Sequence, residues 1–144
     1  MQVQDVMTSG VECADPDMTL QQAAQKMQQL DVGLLPVCGN RDKLVGMVSD
    51  RDIVIRGVAS GKDPRTTEVR EVMTPEVLYC FDDQDVTEAA QMMTENQIRR
   101  LVVLNRDKRL AGIVSLGDLA VDSGDAELVG NALAGVSEPA APIP

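Results

Sequence analysis

The chain has 144 residues, 44% of them apolar and 1% aromatic, with no His, no Trp and a formal net charge of −10. That length suits one compact domain or two small halves sharing a core of Val, Leu, Ile, Met and Ala. The acidic balance argues against non-specific binding to nucleic acid or to an acidic membrane surface, and the lack of aromatics argues against base stacking.

Three cysteines, Cys13, Cys38 and Cys80, have no CxxC spacing. Without His they make no recognisable zinc set, and they read as buried, reduced thiols. The first residues, Met1-Gln2-Val3-Gln4-Asp5, lack the basic and apolar regions of a secretion signal, and no stretch is long enough to cross a bilayer. The expected location is the cytoplasm. Positive charge is clustered: five of the 13 Lys and Arg fall between Arg51 and Arg70, and five between Arg99 and Arg109.

Taken in order, residues 3–8 are a short leading segment and 11–14 a candidate brief strand, followed by the turn Asp15-Pro16-Asp17. Thr19 with Gln22 three residues on predicts a capped helix, its stripe being Leu20, Ala23, Ala24, Met27 and Leu30. Residues 34–37 and 44–48 read as strands joined by the polar turn 39–43. The second strand runs into Ser49-Asp50-Arg51-Asp52 and a helix over 50–58. A linker rich in Gly, Ser, Thr and Pro covers 57–67.

The pattern then returns at an offset of 66. Val6-Met7-Thr8 matches Val72-Met73-Thr74, Ala23-Ala24 matches Ala89-Ala90, Met27 matches Met93, and Gly46-x-Val48-Ser49-x-x-Asp52 matches Gly112-x-Val114-Ser115-x-x-Asp118. The second copy predicts a helix capped by Asp85 with Glu88 at its third position and Val86, Ala89, Ala90 and Met93 as the stripe. Strands over 101–104 and 110–114, a turn over 105–109 and a helix over 116–122 follow. A period this long, present twice, means two copies of one unit. The expected divisions are repeat 1 at 1–56, linker 57–68, repeat 2 at 69–122, and a last helix with a fraying tail at 123–144. That helix is placed at 126–133, with Leu128, Val129, Ala132 and Leu133 as apolar positions available to cover the module or a partner. The fold class is α+β.

Ser followed by an acid three residues later, where a strand meets a helix, is a capping signal. The same junction offers unpaired N–H groups to a phosphate, and the carboxylate can accept two hydrogen bonds from a ribose diol. Both readings stand at this point.

The paired Val-Met-Thr, the helix with its Ala pair, the strand Gly33-Leu34-Leu35-Pro36-Val37 and the paired Gly-x-Val-Ser-x-x-Asp together resemble the CBS-domain family, over about residues 3–120. The resemblance implies two β-α-β-β-α units related by a pseudo-twofold axis, with clefts for AMP, ADP, ATP, S-adenosylmethionine or NAD. It implies that Asp52 and Asp118 hold ribose hydroxyls and that Ser49 and Ser115 approach phosphate. Backbone near Gly33–Leu35 and Arg99–Leu101, Gly33, Leu34, Arg99 and Arg100 first among them, would line the base or the phosphates. By the same resemblance Ser49 and Asp52 would share a cleft with Arg99 and Arg100, and Ser115 and Asp118 would face Gly33–Leu34 with Arg51 the nearest cation. Val102 departs from the pattern, standing where the first copy has Pro36.

The expected function is therefore a sensor module for adenosyl ligands, the alternative being a ligand-free interaction or oligomerisation module. A homodimer joined through apolar faces at Ile53, Val54 and Leu119 is expected, together with an effector protein that the sequence does not identify. No catalytic residue and no metal ligand is assigned: without His there is no Ser-His or Cys-His pair, and no GxSxG, P-loop or GxGxxG is present.

Overall fold

A computed structural model of the chain describes residues 1–122 and 124–138. The remainder of the expected tail lies outside the described residues. The chain forms two compact units: a central one, Glu12–Val77, and a terminal one that joins Met1–Val11 to the residues from Leu78 onward.

The central unit contains α1 (Leu20–Leu30), the hairpin β2 (Leu34–Cys38) and β3 (Leu44–Ser49), and α2 (Asp50–Asp52), which continues as a π-helical turn, Ile53–Val58. The terminal unit contains β1 (Thr8–Ser9), β4 (Tyr79–Phe81), α3 (Val86–Asn96), β5 (Arg100–Leu104), β6 (Leu110–Ser115), α4 (Leu116–Asp122) and α5 (Ala126–Ser137). Its sheet runs β1-β6-β5-β4, with β4 parallel to β5 and the other pairs antiparallel. The mixed α+β class and the repeat agree with expectation.

Local chemistry explains the elements. Thr19 caps α1: its hydroxyl accepts the Gln22 N–H at 3.2 Å, and the Gln22 side chain accepts the Thr19 N–H at 3.0 Å. Asp85 caps α3 by accepting from the Thr87 N–H at 2.9 Å, but Glu88 does not reach back and instead accepts from Gln84 at 2.7 Å. The stripe on α3 is buried as expected. On α1 only Leu20, Ala23 and Met27 are buried, whereas Ala24 and Leu30 are exposed.

Residues 11–14 do not form a strand. A single parallel bridge, Ala14 to Val37, stands where the terminal unit has the ladder Tyr79–Phe81, and its register matches that of Cys80 and Val103. Asp15-Pro16 ends the pairing because Pro has no N–H to donate. The same difference accounts for Pro36 against Val102: β2 pairs fully on one side only, an edge position where Pro is tolerated, whereas β5 lies between β4 and β6.

The sequence did not reveal that the leading segments are exchanged. Residues 1–11, ahead of the first repeat's helix, fold with the second repeat, and residues 68–77, ahead of the second repeat's helix, fold with the first. Val3 N–H donates to Gln84 O (2.8 Å) and Val86 N–H to Met1 O (3.0 Å), while Val69 N–H donates to Met18 O (2.8 Å) and Leu20 N–H to Thr67 O (3.0 Å). Thr8 pairs with Ile113, and Thr74 bridges to Met47. These crossings need glycine beneath them. A Cβ on Gly112 would lie 2.4 Å from Thr8 O, and one on Gly46 2.8 Å from Thr74 O.

Each unit has its own core. That of the terminal unit includes Val3, Ala89, Ala90, Met93, Leu101, Leu119, Ala132 and Val136. That of the central unit includes Ala14, Leu20, Ala23, Leu35, Val48, Val69 and Val72. The final helix runs four residues further than expected, to Ser137, and packs on α3 and α4. Leu119 and its counterpart Ile53, both expected on exposed apolar faces with Val54, are buried, and of the three only Val54 is exposed.

Candidate functional site

In both units an antiparallel strand delivers a Ser to a helix start. Ser49 is extended at φ −112°, ψ 163°; its hydroxyl accepts the Asp52 N–H at 3.0 Å, and Asp52 Oδ2 accepts the Ser49 N–H at 3.0 Å. In the terminal unit the same two bonds join Ser115 and Asp118, at 3.0 and 2.8 Å. All four residues are half-buried. Each carboxylate uses Oδ2 for the cap. In Asp52 the other oxygen, Oδ1, lies 3.8 Å from Arg56 Nε. The capping reading is thus satisfied in full, and each Asp still has a second oxygen with which to accept donors.

Each strand start lies beside its own Ser. Leu34 pairs with Ser49, and Asp50 N–H donates to Gly33 O at 2.9 Å. Arg100 pairs with Ser115, and Leu116 N–H donates to Arg99 O at 2.8 Å. Ser49, Arg51, Asp52, Gly33 and Leu34 therefore gather in the central unit, and Ser115, Asp118, Arg99 and Arg100 in the terminal one.

The two gatherings differ in charge. Arg99 and Arg100 are exposed and form no ion pair among the described residues. Gly33 stands in place of Arg99, and the carboxylate of Asp50 folds over it, so that a Cβ on Gly33 would meet Asp50 Oδ2 at 3.0 Å. Asp50 has Leu116 as its counterpart. Sequence reasoning passed over Asp50 because it belongs to the cap; the 66-residue alignment with Leu116 was the available signal.

Two cavities flank these sites. One of about 490 Å³ in the central unit is lined by Ala24, Met27, Val32, Gly33, Asp50 and Val54 among others, and includes neither Ser49 nor Asp52. One of about 380 Å³ in the terminal unit is lined by Arg99, Arg100, Ser115, Leu116, Gly117 and Ala120, closed by Val129 and Leu133 of α5. The cover expected from the last helix is present, but which cavity its Val129 and Leu133 close was not read from the sequence, because nothing in the repeat has a counterpart to that helix.

Among the described residues no three or more Cys, Asp or Glu side chains gather as a metal site, and no helix is long and apolar enough to cross a membrane. Comparison with known proteins now adds to this geometry. The CBS domain matches twice, at residues 3–58 and 69–122. The CBS domain-containing protein YhcV of Bacillus subtilis is 42% identical over 135 residues, covering 94% of each chain. Hypoxic response protein 1 of Mycobacterium tuberculosis is 42% identical over 116 residues, 81% of this chain and 80% of that one. A crystal structure of Hypoxic Response Protein I, which holds two coordinated zinc ions, superposes with a TM-score of 0.77 at 40% identity over 85% of this chain and 98% of that one. The structure of CBSX2 in complex with AMP gives a TM-score of 0.72 at 28% identity, over 85% and 95%. The chain belongs to the CBS-domain family and carries a tandem pair of CBS domains.

Proposed function

We propose that the chain is a regulatory, non-catalytic module of the cytoplasm that binds an adenosyl ligand: AMP, ADP, ATP, S-adenosylmethionine or NAD. The observation that carries this reading is the repetition of one bond set at Ser49/Asp52 and Ser115/Asp118, which leaves the same carboxylate oxygen outside the cap in both units. The AMP held by CBSX2 supports the ligand class. In this reading the carboxylates take the ribose diol and the serines with nearby N–H groups approach phosphate. A ligand signals by binding one arrangement of the module better than another. An effector protein, acting in trans, reads that change.

The two sites are proposed to be unequal. Arg99 and Arg100 offer planar, charge-assisted contacts to phosphate that Gly33 and Leu34 cannot supply. The arginine-bearing site is the tighter by about tenfold or more.

Calorimetry and thermal shift with each of the five ligands test this. An adenine nucleotide at a hundredfold excess over Kd stabilises the fold by about 2.7 kcal/mol. Asp52→Asn with Asp118→Asn abolishes the shift, Arg100→Ala removes the tighter step, and the single Asp variants tell which acid shares it. The second reading, a ligand-free interaction module, is favoured by caps that are already complete. It is adopted if no ligand moves the melting temperature.

A further inference from the structure

The central unit holds two thiols that the ligand-binding reading does not use. Cys13 Sγ and Cys38 Sγ lie 2.6 Å apart, well inside the van der Waals contact of two sulfurs, and both cysteines are free. Backbone pairing sets this approach. Ala14 N–H donates to Pro36 O at 2.8 Å, and Cys38 N–H donates to Ala14 O at 3.0 Å. Cys13 thus directly precedes, and Cys38 directly follows, the two residues of the one bridge between the segment before α1 and β2. Lys26 Nζ donates to Cys13 O at 2.8 Å and fixes the turn from the α1 side.

The two sulfurs are not equivalent. Cys13 is half-buried and open to reagents, whereas Cys38 is buried. Burial, with Cys13 and the acids Asp42 and Asp15 nearby, pushes the Cys38 thiol up to about 12. The terminal unit has no such pair: Tyr79 and Leu104 occupy the matching positions, and Cys80 is buried alone.

We propose that Cys13 and Cys38 form a reversible dithiol site that low-molecular-weight disulfides oxidise to a disulfide within the chain. The Cys13 thiolate attacks one sulfur of the external disulfide, whose S–S bond breaks, and the leaving thiolate takes up a proton. Cys38 then gives up its proton and attacks the Cys13 sulfur, displacing the second thiol. Two protein thiols are oxidised and one external disulfide is reduced to two thiols. Closing the ring ties the segment that leads into α1 to the end of β2. Such exchange in a reducing compartment is transient and suits a sensor.

The test uses the full chain incubated with oxidised glutathione, then alkylated and weighed intact. The expected product is a monomer that has lost two hydrogen atoms, with Cys80 alone alkylated, and dithiothreitol restores three alkylatable thiols. Its melting temperature rises by roughly 10 °C over the reduced form. Cys38→Ala stops with glutathione retained on Cys13, and Cys80→Ala closes the ring as the natural chain does. The proposal is overturned if the natural chain keeps glutathione on Cys13, leaves both thiols alkylatable, or forms disulfides between chains.

Discussion

The two units repeat one plan, and what separates them is a helix that only one of them has. In the terminal unit α5 covers the face of α3 and α4, and Ala90 and Leu119 are buried. In the central unit the matching face has no cover within its own unit. Ala24 is exposed where Ala90 is not, and Val54, Ile55 and Val58 stand 54%, 51% and 56% exposed. The apolar stripe written twice in the sequence is thus core in both copies at Leu20, Ala23 and Met27 and at Val86, Ala89 and Met93, and the copies part at Ala24 against Ala90. A repeat fixes which way a face points, and the residues outside the repeat decide whether that face stays open. Clustered exposed aliphatics of this kind mark association sites, so the expected homodimer is proposed to form through the central unit's face, and not through Leu119.

The comparison is broken most readily by placing a charge on each face. Ala90→Asp buries a carboxylate under α5 and is expected to cost about 4 kcal/mol or more in urea unfolding. Ala24→Asp is expected to cost under about 0.5 kcal/mol in the monomer. Equal costs would mean that α5 does not distinguish the two faces. A second pair of variants addresses assembly. Val54→Asp is expected to weaken self-association about a hundredfold, near 3 kcal/mol, in sedimentation equilibrium. Val121→Asp, at the position that matches Ile55 in the covered unit, should leave it unchanged. If Val121→Asp dissociates the dimer and Val54→Asp does not, the interface has been placed on the wrong unit.

The smallest effect compares one buried thiol in each unit. Burial holds Cys80 up at about 11 and Cys38 up at about 12, against an ordinary 9.0. Between about pH 9 and those values the folded chain keeps protons that the unfolded chain has released. Stability from these groups is therefore complete below pH 9 and falls as pH rises through 11 to 12. Unfolding midpoints measured from pH 8 to pH 11 should decline, and Cys80→Ala or Cys38→Ala should each make the decline shallower. A slope that neither variant changes would assign the pH dependence to other groups.

Much of the fold was legible because the repeat was read twice. The Thr19 cap, the hairpins and both Ser-x-x-Asp junctions follow from local chemistry that acts within a few residues, and the structure bears them out. Three features were not legible, each for a physical reason. The strand at 11–14 shrank to one bridge because Asp15-Pro16 cannot extend a ladder. The exposure of Ala24 was not legible because its counterpart Ala90 is covered by α5, a helix outside the repeat that the central unit does not have. The pairing of Thr8 with Ile113 depends on close backbone approach at Gly112, and a glycine in a strand does not announce which partner crosses it. At the candidate site the capping pairs and the covering face of the last helix were readable, whereas which cavity Val129 and Leu133 close was not, since no periodicity links that helix to the repeat.

The exchange of leading segments has a consequence for how the chain is made. Residues 12–77 are contiguous, so the central unit can close as soon as Val77 has been synthesised. Residues 1–11 cannot, because their partner β6 ends at Ser115, 38 residues later. At about 5–20 residues per second, the first segment of the nascent chain waits about 2–8 s longer for its place than the central unit does. Throughout that interval Val3 and Val6, buried in the finished protein, have no partner. Cutting the chain at the linker would not release two whole modules either, since a fragment ending near Gly61 lacks Val69–Glu71 and Thr74, the segment that completes its own unit.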